Sequence, residues 1–214
     1  MTSRNERSTC VKKYRMTLIV TLAISVALVG CMSKVKYPAY YTLNLPPAPD
    51  PPAQEGVRAS LAIREFRSPG YLRQGAIVYK TSPEQIGFYD YHRWAVDPRE
   101  LVTNAVADRL RASGTFTQVK LYDGRSDVNY ILTGRLEKLE EVDYQGGVKV
   151  EVAISAQMTS LATGATVWTN AVSEVGTVAQ RDVPAVVSEM NQTMNRAIEK
   201  LLTPPPASVI TKGN

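Results

Sequence analysis

Cysteine and histidine are almost missing from this 214-residue chain, which has two of the first and one of the second. Both thiols, Cys10 and Cys31, lie in the first 31 residues. If that region is processed as argued below, no thiol remains for a disulfide, a metal site or a nucleophile. A single histidine, His92, cannot build the usual His-rich zinc site, and any Ser-His-acid arrangement would have to use it. There is no Walker A loop, so the chain is not itself an ATPase, and no Gly-x-Ser-x-Gly elbow. The apolar run from Met16 to Val29 has 14 residues, short of the roughly 20 that a spanning helix needs. Positive charge is also scarcer than it looks. Residues 1–30 carry four of the five net charges, which leaves +1 for residues 31–214. A near-neutral domain has no electrostatic footprint for nucleic acid.

What is present begins with that apolar run. Arg4, Arg7, Lys12, Lys13 and Arg15 precede it, and Leu28-Val29-Gly30-Cys31 closes it. A basic segment, an apolar segment and then small residues form a secretory signal, not an element of the fold. Leu-Val-Gly-Cys resembles a bacterial lipobox, in which the cysteine becomes the new N-terminus and carries acyl chains. The alternative is an ordinary signal peptide or an uncleaved anchor with a cysteine there by chance. Each buried methylene contributes about 0.8 kcal/mol and one myristoyl chain binds only marginally, so two or three chains on Cys31 would make attachment effectively permanent. Residues 1–30 are thus expected to be a lipoprotein signal peptide and 31–39 a tether. The eight residues between Cys31 and Tyr40 reach at most about 30 Å, which keeps the folded part near its membrane.

The folded part is expected over 40–202. Tyr40-Tyr41-Thr42-Leu43 is β-prone. The prolines that follow over 46–56 cannot join a sheet interior and read as an extended loop, unless everything before Val57 is linker. Val57, Ala59, Leu61 and Ile63 alternate with Arg58, Ser60 and Ala62 as a half-buried strand does. Ala76–Tyr79 and Ile86–Trp94 are further strands. The latter contains Tyr89, Tyr91, His92 and Trp94, either a platform for a lipid or partner or rings that alternate between core and surface. Asp97-Pro98-Arg99-Glu100 starts a helix whose apolar face is Leu101, Val102, Ala105, Val106 and Leu110, and Gly114 ends it. Strands follow at 116–121, 128–142, 148–159 and 165–178, the last three as an antiparallel meander. Glu140-Glu141 sits on a strand, so the two carboxylates point to opposite faces; the pair is expected at a solvated edge. A second helix from Asp182 carries Val183, Val187, Met190, Met194, Ile198 and Leu201 on one face, a stripe that is core more often than binding groove. The tail, 203–214, is expected to be disordered. Two amphipathic helices must cover a sheet. The fold class is therefore α+β, with both helices packed on one face of a mostly antiparallel sheet and the other face partly free.

The lipobox, Tyr40-Tyr41-Thr42-Leu43, Tyr89-x-x-x-x-Trp94, Pro98, and a helix ending Leu110-x-x-Ser113-Gly114-x-Phe116-x-x-Val119 together resemble the ABC-type transport auxiliary lipoproteins, the PqiC-like proteins, from about residue 31 to 202. That resemblance implies a TolB N-terminal-domain-like fold. It also implies an envelope lipoprotein that acts beside MCE-domain proteins and ABC transporter components moving lipids or other hydrophobic molecules. Residue 32 is Met, not the Asp that retains such lipoproteins in the inner membrane, so the periplasmic side of the outer membrane is expected. The expected role is non-enzymatic and needs no cofactor or metal. Cys31 would be the anchor, with Tyr89, Tyr91, His92 and Trp94 as candidate contacts for a partner, a ligand or further copies of the chain. The alternative is an interaction lipoprotein on a TolB-like fold that activates a peptidoglycan synthase or supports secretion. An enzyme using His92, or a lipid carrier with an apolar pocket between sheet and helices, are further readings.

Cells grown with radioactive palmitate should yield a labelled product, and Cys31→Ala should abolish the label. Absence of label through position 31 would remove the membrane anchor from this reading.

Overall fold

Alternation in the sequence becomes one eight-stranded sheet. The computed structural model describes residues 35–45, 57–124, 127–144 and 146–210. Cys31, the signal segment, the proline-rich stretch 46–56 and residues 211–214 lie outside them. The account below concerns the unit from Pro38 onward. Its elements are β1 (Ala39–Tyr41), β2 (Val57–Ile63), β3 (Ala76–Lys80), β4 (Ile86–Trp94), α1 (Pro98–Ala112), β5 (Phe116–Leu121), β6 (Tyr130–Val142), β7 (Lys149–Ser160), β8 (Thr166–Thr177) and α2 (Val183–Leu201).

Strand β6 is the hub. Along one edge it pairs antiparallel with β7 from Tyr130 to Val142, and β7 pairs antiparallel with β8. Its other edge is shared. Tyr130–Leu132 pair in parallel with β2, and Glu140–Val142 pair in parallel with β3. β5 extends the β2 arm in parallel. β4 extends the β3 arm antiparallel, and β1 adds to β4 in parallel. The fold is α+β, two helices with a mostly antiparallel mixed sheet. The meander over β6, β7 and β8 follows from short turns; the parallel joints of β2 and β3 to β6 do not, because they join strands far apart in sequence.

Both helices cover one face. Val150, Val152, Ile154, Ala156 and Met158 alternate along β7 and are buried against α2. From α2 come Val183, Val187, Met190, Met194, Ile198 and Leu201, all buried, so the methionine stripe is core. Each such side chain contributes roughly 1.5–3 kcal/mol when fully buried. α1 packs Val102, Val106 and Leu110 into the same cluster. Its Arg109 guanidinium donates to the Asn195 carbonyl oxygen at 3.3 Å and to the Asn195 side-chain oxygen, joining the two helices side by side. The ends obey their capping residues. Asp97 accepts from the Arg99 amide at 2.9 Å, Asp182 accepts from the Ala185 amide at 2.8 Å, and Gly114 takes φ 62° after α1.

Residues 64–75 connect β2 to β3 along β6, and one side chain pins them. Phe66 is fully buried, and its amide donates to Thr103 Oγ1 of α1 at 2.9 Å. Its ring lies over Gly134, where a Cβ would overlap it. Gly134 is thus required by close approach, not by a turn.

One alternative falls and one expectation changes. The chain before Val57 is not simply linker, since β1 joins the sheet, Leu43 is buried, and the Asn44 amide donates to Asn191 of α2. The tail expected to be disordered from 203 is ordered as far as Ile210. Pro206–Val209 form a 3-10 turn, Ala207 enters the core, and the Trp168 indole donates to the Pro204 carbonyl at 3.3 Å. The prolines stop α2, but they also lower the entropy lost when the chain folds back, and Pro206 and Ala207 are buried while Ile210 packs against the core.

Gly134→Ala is expected to destabilise the protein by about 1–3 kcal/mol through overpacking against Phe66. Phe66→Leu in the same background should recover part of that loss, as expected of two residues in contact. Urea denaturation of the single and double variants checks both.

Candidate functional site

The aromatic strand β4 does not keep a simple alternation. Its ladder with β3 runs from Val78 opposite Phe88 to Ala76 opposite Arg93. Five residue steps of β4 therefore oppose two of β3. Such a bulge re-aims side chains and sharpens the local twist. Tyr89 and His92, which strict alternation would send to opposite faces, meet edge to face with ring centroids 5.7 Å apart. His92 Nδ1 lies 2.9 Å from the Tyr41 hydroxyl of β1, with those rings 5.7 Å apart. Tyr79 of β3 joins from the other side, 4.9 Å from Tyr89. The Tyr79 ring lies across Gly87, where any Cβ would collide with it.

Beneath this cluster is a buried acid. Tyr89 donates its hydroxyl proton to Glu141 Oε2 at 2.8 Å, and Glu141 is 5% exposed. Burial pushes the Glu141 carboxyl above its ordinary value, and the Tyr89 hydrogen bond pulls it partly back. Burial and the carboxylate together raise the Tyr89 phenol. On the opposite face, Glu140 is fully buried. It accepts from the Tyr71 hydroxyl at 3.3 Å and faces Lys80 Nζ at 3.3 Å. Burial, then the charge of Glu140, lift the Tyr71 phenol to about 12. The two glutamates do point to opposite faces, which keeps them from working as a pair. Neither is at a solvated edge, because β3 and the turn Gly70–Gln74 cover them. No pattern near residue 140 announces this; Tyr89 arrives on a paired strand and Tyr71 on the turn Gly70–Gln74, 52 and 69 positions from their glutamates.

The sequence-derived candidates therefore separate. Cys31 lies outside the described residues. Tyr89 and His92 are half-buried in the tyrosine cluster and Tyr91 is 40% exposed, while Trp94 is 6% exposed in the core, with its amide bound to the Gly75 carbonyl. Of the four, Tyr91 presents the most surface, and His92 contacts two tyrosines. Tyr41, Tyr79 and Glu141 complete the cluster and were not among the sequence candidates. The arrangement is a rigid aromatic strand near the sheet edge. Among the described residues no group of acids, histidines and cysteines is disposed to hold a metal, and no helix is long and apolar enough to cross a membrane.

The family model described as "ABC-type transport auxiliary lipoprotein component" matches residues 41–201. The fold is similar to a crystal structure of a protein from Xanthomonas campestris assigned to family DUF330, with a TM-score of 0.68 and 16% identity over 81% of this chain and 96% of that one. It is also similar to the crystal structure of an uncharacterized protein, with a TM-score of 0.61 and 15% identity over 78% and 98%. A hypothetical protein from Chlamydia trachomatis shares the fold at a TM-score of 0.50 and 6% identity, over 72% and 99%. At these identities the likeness concerns the fold alone. No curated protein matches the chain.

The Tyr89–Glu141 bond generates a pH-dependent prediction. A carboxyl raised above its unfolded value of 4.5 stabilises the native state fully below that pH, and the contribution is lost as pH rises through the native value. Tyr89→Phe removes the donor that favours the charged form. It should cost about 1.5–3 kcal/mol near pH 7 and less near pH 4, where the carboxyl carries its own proton. Urea denaturation at both pH values tests this; equal losses would assign the effect to ring packing.

Proposed function

The chain belongs to the family of ABC-type transport auxiliary lipoprotein components, and from that premise we propose that it is the lipid-anchored accessory of an MCE/ABC-type system moving lipids or other hydrophobic molecules between membranes. The observation that carries the proposal is the family match over 41–201, which begins ten residues after the lipobox cysteine. A folded domain on so short a leash works beside a membrane. Acylation of Cys31 supplies the anchor, and Met32 favours the periplasmic side of the outer membrane. The protein does no bond-making. It positions an MCE-domain protein or ABC transporter component, and copies of itself, against a fixed point.

The docking contact is assigned to the exposed part of β4. Tyr91 presents an aromatic ring at 40% exposure, and the bond from His92 to Tyr41 stiffens the neighbouring backbone. Rigid aromatic side chains bury large area at little entropic cost when a partner covers them.

Native purification from membranes should recover an MCE-domain protein or an ABC transporter component. A photoreactive side chain at position 91 should crosslink to it, and one at the buried position 94 should not. Recovery of a peptidoglycan synthase alone, or of no transport component, would overturn this function.

A further inference from the structure

The helix-free face of the sheet carries an arginine-rimmed groove that the functions above leave unused. It has a volume of about 320 Å³, within the range of small-molecule sites. Its floor is polar, from Thr133 of β6 with Ser155 and Gln157 of β7, and its rim carries Arg64, Arg67 and Arg135 with one acid, Glu65. These floor residues alternate with Leu132, Leu136, Ile154 and Met158, which are buried toward the helices.

Two of the arginines are backbone neighbours. Arg67 and Arg135 are parallel bridge partners, with the Arg67 amide bound to the Gly134 carbonyl at 2.9 Å and the Leu136 amide to the Arg67 carbonyl at 2.8 Å. Like charges directly opposite each other in a sheet are unfavourable. The backbone cannot relax to separate them, because Phe66 beside Arg67 is locked into the core. Arg64 is held by stacking over the Tyr122 ring at 4.3 Å. The neighbouring acids are engaged elsewhere or with one arginine only. Glu65 reaches Arg99 at 3.5 Å, and Glu137 accepts from Arg135 Nε at 2.6 Å and from Ser155 Oγ at 3.2 Å. Among the described residues Arg67 makes no ion pair. An oxyanion beside Arg67 would supply the counter-charge that Arg67 lacks and take guanidinium N–H groups in pairs, while the hydroxyl and amide floor suits an alcohol beside it.

We propose that this groove binds the phosphate-bearing headgroup of a glycerophospholipid. The anion chemistry stands on the groove itself; the choice of a lipid as its source rests on the membrane-anchored reading above. The acyl chains stay outside, because the floor is polar.

The test uses the full-length protein in a maltoside detergent, titrated calorimetrically with dihexanoyl phosphatidylglycerol below its micelle concentration. Uncharged dihexanoylglycerol and inorganic phosphate are the comparison ligands. The expected result is saturable binding of the phospholipid, tighter than that of inorganic phosphate and absent for dihexanoylglycerol, weakened about tenfold by Arg67→Gln and falling with salt. Arg135→Gln repeats the measurement at the other half of the pair. Urea midpoints at or above wild type would show that the variants are folded. Phosphate binding as tightly as the lipid would assign a free anion and overturn the headgroup. Absent binding, or binding unchanged in both variants, would overturn the site. Either failure leaves recovery of a transport component unaffected, so the two proposals can fall separately.

Discussion

Strand β6 has two edges and three partners, and this inequality shapes the molecule. One edge is taken by β7 along its length. β2 and β3 must then share the other, each with three residues of register. The twelve residues between them cannot bulge into solvent and must run along β6. Phe66 makes that route stable. It removes a large ring from water, bonds its backbone to Thr103, and closes over a glycine that leaves it room.

The same constraint accounts for the buried charges. Because β3 lies parallel against the end of β6, Glu140 and Glu141 are covered on both faces rather than solvated. Burying a carboxylate is costly unless it is hydrogen-bonded or paired. Tyr89 meets one and Tyr71 with Lys80 the other. The bulge in β4 brings Tyr89 within reach and gathers His92 and Tyr41 around it. The aromatic segment is thus chiefly an internal brace, with Tyr91 as its exposed ring.

The two sheet faces divide the work. One is sealed by α1 and α2 over a continuous apolar cluster. The other keeps hydroxyls, amides and arginines, with Ala62, Val128 and Ile131 as a small buried cluster on which Tyr122 packs. An accessory protein needs a side that does not rearrange and a side that can be touched, and the segregation of helices to one face supplies both.

Much of this was legible in order along the chain. The period-two runs marked β2, β7 and the meander. Asp97-Pro98 and Asp182 marked the helix starts, and the six residues read as the apolar stripe of α2 are all buried, with Val186 and Ala197 added by the structure. The family likeness is likewise a property of the linear string. These are local signals, set by side-chain period, capping chemistry and short turns. Tertiary structure alone decided the parallel joints of β2 and β3, the burial of Glu140 and Glu141, the inward turn of Trp94, the ordering of residues 203–210, and the meeting of Arg67 with Arg135. Each depends on residues brought together from distant positions, or on a bulge that resets the alternation, and neither leaves a mark in the local pattern.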